Sequence, residues 1–207
     1  YSYNQLLFQK AYSGYNKGKL KESKMIYLNL LKSDINDTYK QIEEDGFKID
    51  FRVSNILNED NEIGVLKSTA LGILGYAEAL KILDPDLIFI LGDRFEMLAA
   101  AYSSFIYGIP ICHYSGGEVT EGAYDDSIRH AITKFSLIHF VTANEYRERV
   151  IQLGENPDNV FMVGGLGVEI TRNLKTLNKK ELEKSLSLKF LKKNILFTYH
   201  PETIGNK

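Results

Sequence analysis

The sequence predicts an α/β protein built on a doubly wound parallel sheet. Two short apolar runs, residues 87–91 and 109–112, flank residues 95–107, in which apolar residues recur at helical spacing. The order strand, helix, strand is the unit that builds parallel sheets. Strands and helices alternate in the same way from about residue 47 to residue 199, and this order favours parallel strands joined by crossover helices.

The first 36 residues differ from the rest and predict a helical hairpin (residues 1–36). Apolar, aromatic and small residues stand at positions suited to two helices joined by a turn at residues 16–19: Leu7, Ala11, Tyr15, Gly18, Ser23, Tyr27 and Leu30. The spacing resembles one tetratricopeptide repeat, and a generic basic helical hairpin explains it equally well. Because one repeat cannot bury its own face, we expect residues 2–35 to contact a helical-repeat partner.

Residues 37–192 form the predicted sheet domain. Its first half is predicted to contain a helix at 38–45, a strand at 47–53 and a long helix at 63–83 that stops at Asp84 and Pro85. Beyond the central unit the prediction is a helix at 125–135, a strand at 137–141, a helix at 145–153 capped by Asn144, a strand at 159–163 and a helix at 179–187. Residues 193–207 contain a predicted strand at 194–199, which we expect to begin a second domain.

Composition excludes several classes of function. The 207 residues carry a formal net charge of -2, so there is no electrostatic reason to bind nucleic acid or a membrane surface. The single cysteine, Cys112, cannot form an internal disulfide, and its place in an apolar strand predicts a buried, inert thiol. The longest apolar stretch, about residues 98–112, is interrupted and too short for a bilayer, and the first residues lack a signal-peptide pattern. We therefore expect a cytoplasmic protein.

Acidic side chains follow both central strands. Asp93 comes directly after the first strand, and Glu118 follows Gly116 and Gly117 just after the second. Ligands of open α/β sheets bind beyond the carboxyl ends of the strands, so we expect the two carboxylates to share one crevice. Asp93 also fits the N-cap position of the following helix. The paired glycines permit either a tight turn or close approach of a ligand to the backbone.

The predicted helix at 125–135 begins with more charged residues. Asp125 and Arg129 share one face of this helix, as do Asp126 and His130. A capped helix with an i,i+4 ion pair explains this pattern without any function. In one crevice with Asp93, the same carboxylates would raise the pKa of at least one of them, which supplies a protonated acid beside an ionised base.

Histidines and glycines allow further alternatives. Several carboxylates with His113 and His130 could hold a divalent ion, but no HxxxH or CxxC spacing is present and we predict no metal site. His139 lies in an apolar strand and is predicted to be a core residue, whereas His200 ends a strand and is predicted to be a site residue. Residues 164–167 (GGLG) could cradle a phosphate at a helix N-terminus, although a dinucleotide fingerprint is absent.

Four stretches carry a resemblance to a known family: GDRFEMLAAA, HYSGGEVTEGAYDDSIRHAITKFSLIHF, ERVIQLGENPDNVFMVGGLG and LFTYHPET. They resemble the hydrolysing UDP-N-acetylglucosamine 2-epimerases, which open the sialic and related nonulosonic acid pathways. The resemblance covers about residues 37–203, and the long GGE…DDSIRHAITK block is its most specific part.

The resemblance implies a glycosyltransferase-B-like fold, in which two Rossmann-like halves hold a nucleotide sugar between them. It implies a reaction in two steps: a base removes the proton at C2 while UDP leaves C1, and water then adds to the glycal with inversion at C2. The catalytic positions would be Asp93, Glu118, Asp125, Asp126 and His200. Residues that bind or shape the site would be Arg94, Gly116, Gly117, Arg129 and His130. No redox cofactor is implied.

The sequence departs from the family pattern at both ends. The family opens with a strand and a loop that reaches the active site, where this sequence has the predicted hairpin, and it continues past HPET with most of the nucleotide contacts. We therefore expect little or no epimerase activity from this chain alone, because remote contacts contribute to turnover as well as affinity. A non-catalytic interaction module is the alternative, and a GDP-linked or diacetamido sugar remains open as substrate. Relatives pair as dimers, so a homodimer is also expected.

Overall fold

The computed structural model describes residues 38–54 and 61–198, and its centre is a four-stranded parallel sheet. The strands are β1 (Ile88–Leu91), β2 (Ile111–Tyr114), β3 (Ile138–Val141) and β4 (Val160–Met162), and they lie in the order β1-β2-β3-β4. The helices are α1 (Thr38–Glu44), α2 (Glu62–Leu83), α3 (Phe95–Tyr107), α4 (Tyr124–Phe135), α5 (Asn144–Gln152), α6 (Leu166–Asn173) and α7 (Lys179–Leu186). The predicted α/β fold with a parallel sheet is confirmed.

Alternating side chains of the sheet supply two apolar layers. Ile88, Ile90 and Ile111 pack with the small residues of α3 and with Tyr76 of α2. Cys112 and Phe140 belong to a second cluster with the alternate residues of the strands. Because all four strands are parallel, their carboxyl ends lie at one edge of the sheet, and the residues after β1, β2 and β3 meet there.

The long helix α2 lies against α3. Gly75 makes this region close-packed, since a Cβ at that position would stand 2.6 Å from Cγ1 of Val53. Within the described residues α2 is the one helix long and apolar enough, by length and composition, to cross a membrane. A helix packed in the core of a domain has the same composition, and Tyr76, Ala79 and Leu80 of α2 are buried in this way.

Several predicted elements differ from the structure. Residues 47–53 were predicted to be a strand but pair with no other strand of the described chain, and Val53 instead packs on the apolar core. Residues 194–198 likewise form no strand, and the side chains of Ile195 and Leu196 are more than nine-tenths exposed. Both predictions were wrong for the same reason: an apolar pattern along the sequence does not supply the neighbouring strand that a ladder needs.

Smaller differences concern the ends of elements. β2 begins and ends two residues later than predicted, so His113 and Tyr114 belong to the strand. Asn144 was predicted to cap α5, but it is the first residue of that helix and Ala143 holds the cap position. Helix α6 begins at Leu166, inside the GGLG run, and was not among the predicted elements. The predicted hairpin at 1–36, Tyr199 and His200 lie outside the described residues.

Candidate active site

The residues after β1 and β2 turn sharply at the carboxyl edge of the sheet. Gly92 follows β1 with φ of 92°, and Ser115 follows β2 with φ of 69°, which is uncommon for a residue other than glycine. These turns lead directly to Asp93 and to the Gly116–Glu118 segment. Asp93 does not cap α3, since Arg94 holds the cap position and makes no side-chain cap. The capping interpretation of Asp93 is therefore wrong.

The carboxylate of Asp93 instead binds Arg129 of α4. Nη2 of Arg129 donates to Asp93 Oδ2 and to Thr120 Oγ1 (2.7 Å). Nη1 donates to the main-chain oxygen of Glu118 (2.9 Å) and lies 3.4 Å from Asp126 Oδ1. The guanidinium is buried, with 4% of its side chain exposed. Asp93, Thr120, Asp126, Arg129 and the Glu118 carbonyl are here called the Arg129 cluster.

The loop before α4 is held by the same cluster. The amide of Thr120 donates to Asp126 Oδ1 at 2.9 Å, so Asp126 bridges the loop and the arginine. His130 adds a weaker contact, with Nε2 3.8 Å from Asp126 Oδ2. The Arg129 cluster thus brings together two of the predicted acids, Asp93 and Asp126. Two buried nitrogen atoms beside them, Arg129 Nε and His130 Nδ1, have no hydrogen-bond partner among the described residues.

The carboxylate of Glu118 has a different partner. Its Oε1 accepts a hydrogen bond of 2.8 Å from Thr142 Oγ1, at the carboxyl end of β3. Burial raises the pKa of Tyr114, and the negative charge of Glu118 raises it further. The hydrogen bond with the Leu166 amide acts in the opposite direction. Glu118 therefore faces the same edge of the sheet, held by a hydroxyl group, while Arg129 binds its main chain.

Asp125, in the first turn of α4, has a raised pKa. Burial raises its pKa above the ordinary value, and the negative charge of Asp93 raises it further, against smaller opposing effects of Arg94 and Arg129. A carboxyl group with a raised pKa keeps its proton to higher pH, which suits a proton donor. Asp125 thus has the property expected of a proton donor at this edge.

Arg94 lies nearby but is committed to its own helix. Its Nε and Nη2 donate to the two carboxylate oxygens of buried Glu96 at 3.1 and 2.7 Å, and its guanidinium lies 5.8 Å from the centre of the Phe95 ring. This bidentate pair occupies the face of the guanidinium that would bind an anion. The substrate-binding role predicted for Arg94 remains a prediction.

Gly116 and Gly117 are both buried: Gly116 lies against β2, α4 and α5, and Gly117 lies against α5. A Cβ on Gly116 would stand 3.0 Å from Thr133 Oγ1 and 3.3 Å from His113 Nδ1. A Cβ on Gly117 would overlap the carbonyl oxygen of Tyr146 and stand 2.9 Å from Val150 Cγ2, at a φ of 81°. Both glycines therefore have a packing reason that is independent of any ligand. Contact of their backbone with substrate stays a prediction.

Gly117→Ala is expected to lower the free energy of unfolding by about 3 kcal/mol, because the substitution combines an unfavourable positive φ with overlap against α5. Gly164→Ala is the matched control: it has a φ of 84° and no atom within 4 Å of its added Cβ, so its cost should be about 1 kcal/mol. Urea unfolding of both variants measures the difference. Equal losses would show that the contact with Tyr146 is not tight.

His113, His139 and Cys112 lie in the core. His113 and His139 are fully buried neighbours in register on β2 and β3. His139 Nε2 pairs with Glu155 Oε2 at 3.2 Å, and Glu155 also binds Lys134. Burial raises the pKa of the Cys112 thiol to about 12, which confirms the buried, inert cysteine. No group of three or more His, Cys, Asp or Glu able to hold a metal occurs in the part of the chain that the structure describes.

Tyr114 holds the GGLG run. Its hydroxyl donates to the Gly164 carbonyl at 2.7 Å and accepts from the Leu166 amide at 3.0 Å. One amide at the start of α6 is therefore already satisfied inside the protein. Tyr114, Thr120 and Thr142 were not predicted as site residues, because nothing in their spacing along the sequence marks them. Correct ends for β2 and its neighbouring strands would have been the only signal that these residues lie at the site.

A family model described as UDP-N-acetylglucosamine 2-epimerase matches residues 19–207. The chain is 45% identical over 170 residues to the GDP/UDP-N,N'-diacetylbacillosamine 2-epimerase (hydrolyzing) of Campylobacter jejuni, across 82% of this chain and 44% of the relative. It is 36% identical to polysialic acid biosynthesis protein P7 of Escherichia coli and 33% identical to the UDP-N,N'-diacetylbacillosamine 2-epimerase of Legionella pneumophila, across 83% and 80% of this chain. The chain spans 44% of the length of each of these relatives.

Solved structures show the same fold. The UDP-GlcNAc 2-epimerase of Neisseria meningitidis bound to UDP-GlcNAc superposes with a TM-score of 0.59 at 21% identity, across 70% of this chain and 41% of that chain. The enzyme of Methanocaldococcus jannaschii in complex with UDP-GlcNAc and UDP gives 0.59 at 20% identity, across 77% and 45%. At these identities the likeness shows a shared fold.

Proposed function

The chain belongs to the UDP-N-acetylglucosamine 2-epimerase family, and on this premise we propose that it supplies the acid–base groups of a hydrolysing nucleotide-sugar 2-epimerase. The Arg129 cluster is the observation that supports this most directly. It brings Asp93, Asp126 and the main chain of Glu118 to one buried guanidinium at the carboxyl edge of the sheet. Acidic groups gathered at this edge suit removal and return of a proton on a sugar.

Glu118 is the base in this proposal. Among the described residues its carboxylate accepts a bond from the Thr142 hydroxyl, whereas the carboxylates of Asp93 and Asp126 are engaged by Arg129. Glu118 removes the proton at C2, the electron pair forms the C1–C2 double bond, and the nucleoside diphosphate departs with the C1–oxygen bond pair. The product of this first step is a glycal.

Asp125 supplies the proton in the second step. Water adds its hydroxyl at C1 of the glycal and gives up its other proton to solvent, while C2 receives the proton of Asp125 from the face opposite to the one deprotonated, which inverts its configuration. Glu118 then loses its proton to solvent and Asp125 regains one, so both groups return to their starting states. The raised pKa of Asp125 favours the protonated form that this step requires. Elimination and hydration need acid and base groups and no redox cofactor. His200, Arg129 and His130 would shape the site around the diphosphate and sugar.

Two substrates are to be distinguished. UDP-N-acetylglucosamine, giving N-acetylmannosamine, is the substrate in the description of the matching family. A diacetamido sugar carried by UDP or GDP is the second candidate, because the 45% identical relative has that activity in its name. We place the reaction in the cytoplasm, in the synthesis of a sialic-type sugar, in line with the name of the Escherichia coli relative.

The test uses a fusion protein, in which residues 37–207 replace the matched region of the Campylobacter jejuni relative, so that the segments of the relative before and after that region are both present. The fusion protein is expected to release nucleoside diphosphate and free 2-epimerised sugar from one of the two substrates, with deuterium from D2O at C2. Glu118→Gln is expected to stop both, since a neutral amide cannot take the proton. The isolated 207-residue chain is expected to show little or no turnover, because remote binding contacts contribute to rate.

The controls separate this proposal from a non-catalytic interaction module. Asp158→Asn, on the 3-10 turn Pro157–Asn159 away from the cluster, should leave turnover unchanged. A folded fusion protein without turnover of either substrate would contradict the proposal if the intact relative is active in the same assay. Capture of a helical-repeat partner by the isolated 207-residue chain through residues 2–35, unaffected by Glu118→Gln, would then favour the interaction module.

The exposed face of α2 supports a homodimer. Ile63, Leu66, Ala70, Leu74 and Ala77 follow one another every three or four residues on this exposed face, the spacing of a helix–helix seam. If two copies of α2 pack antiparallel about an axis near residue 72, Ala70 faces Leu74 of the second copy, a small residue against a large one. The same alignment brings Lys67 opposite Ala77 of the second copy, one residue from Glu78, and two-fold symmetry repeats this at the other end, so charge as well as shape is complementary.

Leu74→Glu is expected to convert the dimer to a monomer without unfolding it, because Leu74 is 67% exposed in one copy. Lys67→Glu and Glu78→Lys should each weaken the dimer, and the double variant should restore it. Sedimentation equilibrium measures the association constants, with Leu191→Glu, at a 73% exposed position outside α2, as the control. A dimer that survives Leu74→Glu would place the interface elsewhere.

A further inference from the structure

We propose that His113 is a positioning residue, which fixes the Gly92–Asp93 turn against α4. The inference rests on the proposed function, since it concerns where Asp93 is held for that reaction. His113 is fully buried in the middle of the sheet domain, so it cannot touch a substrate. It acts through the residues that it binds.

The two ring nitrogens of His113 reach two different elements. Nε2 lies 2.9 Å from the carbonyl oxygen of Gly92, the residue before Asp93. Nδ1 lies 3.3 Å from Thr133 Oγ1 on α4. A side chain of β2 therefore joins the turn after β1 to the helix that carries Asp125, Asp126 and Arg129.

The partners of His113 determine its tautomer. A carbonyl oxygen can only accept, so Nε2 must carry a hydrogen and donate to Gly92. Nδ1 of the neutral ring is then an acceptor, and the Thr133 hydroxyl must donate to it. The ring stays neutral near pH 7, since burial lowers the pKa of His113 to about 4 and the positive charges of Arg129 and His130 act in the same direction, against the bond to Gly92. Each polar atom thus has one defined role.

The contacts form a closed ring with the Arg129 cluster. Asp93 binds Arg129 directly, Thr133 lies one helical turn beyond Arg129 on α4, and His113 links Thr133 back to Gly92. The turn that carries Asp93 is therefore attached to α4 at two points one turn apart. Two attachments one turn apart fix the orientation of the turn more firmly than the ion pair with Arg129 alone would.

Gly116 is the residue that makes this link possible. A Cβ at position 116 would press on both partners of the Thr133–His113 bond, at 3.0 Å from Thr133 Oγ1 and 3.3 Å from His113 Nδ1. The position of Gly116 in the GGE motif is explained by this hydrogen bond. Gly116→Ala is accordingly a second, independent way to disturb the link.

The first experiment is nitrogen-15 NMR of the histidines in the 207-residue chain. His113 is expected to show Nε2 protonated and Nδ1 unprotonated at every pH between 5.5 and 8. Thr133→Val removes the donor at nearly constant shape and is expected to shift the amide signals of Gly92 and Asp93, and Gly116→Ala should do the same. Thr133→Ser keeps the hydroxyl and should preserve the native signals. This part does not depend on any enzymatic activity.

The second experiment measures kinetics in the fusion protein. Thr133→Val is expected to lower kcat about 10-fold with KM within about twofold of the native value, since a misplaced catalytic group loses rate while binding persists. Thr133→Ser should restore kcat. The kcat of Asp93→Asn measures how much of the turnover depends on the carboxylate of Asp93, the group that His113 is proposed to position.

The outcomes separate the two proposals. An Nδ1-protonated His113, or Gly92 and Asp93 signals unchanged in Thr133→Val, overturns the positioning role whatever the activity. The positioning role is also overturned if Thr133→Val has the native kcat while Asp93→Asn has a much lower kcat. The proposed function stands in that case. Native tautomer and shifted Asp93 signals in a folded fusion protein without turnover would uphold the link and contradict the proposed function.

Discussion

Replacing Arg129 by methionine is expected to lower turnover of the fusion protein by about 100-fold or more and to lower its free energy of unfolding by about 3 kcal/mol. The guanidinium is the one group that binds Asp93, Thr120, Asp126 and the Glu118 carbonyl together. Its removal leaves partly buried carboxylates without their cation, and breaking such a pair from one side is strongly destabilising. The same change lets the acids move apart, which reduces catalysis further.

Two variants control for this effect. Arg129→Lys keeps the positive charge but cannot bind several oxygens in a fixed plane, so its losses should be intermediate. Arg147→Met removes a one-third exposed guanidinium that contacts the carbonyl oxygens of Pro157 and Val160, away from the acids, and should leave turnover near native. Chemical denaturation and steady-state assays measure both quantities. Native turnover in Arg129→Met would show that the cluster does not organise the reaction.

Acid is expected to destabilise the chain already between pH 7 and pH 5. His113 has a pKa of about 4 in the folded state, against about 6.5 in the unfolded chain. The unfolded state therefore binds more protons in this range, so stability is present above pH 6.5 and is lost as pH falls towards 4. Linkage gives a loss of about 2 kcal/mol at pH 5 and about 3 kcal/mol at pH 4.

His139 adds to the loss in the same direction. Burial lowers its pKa, although the neighbouring carboxylate of Glu155 opposes the shift. Urea unfolding at pH 7, 6 and 5 measures the slope, and His113→Gln should flatten it while lowering stability at pH 7. His139→Gln should flatten it less, and the double variant should remove most of the dependence. An unchanged slope in His113→Gln would mean that this ring is not the group that resists protonation.

Much of the fold could be predicted because local patterns and long-range packing agree. Phe95–Tyr107 begins and ends where its apolar period does, and the positions of the four strands follow from short apolar runs. The segment at 47–53 alternates as a strand does and 194–198 contains a short apolar run, yet neither forms a strand. A strand exists only with a neighbour, and no local pattern shows whether the neighbour is present.

The candidate site divides in the same way. The sequence by itself determined which acids stand at the ends of the central strands, Asp93 and Glu118, since a strand end followed by a carboxylate is a local pattern. Only the tertiary structure decided that Arg129 binds both segments, that Thr142 holds Glu118 and that His113 joins Gly92 to Thr133. These partners come from different strands and helices, and their distances depend on how the elements pack rather than on the spacing of residues along the chain.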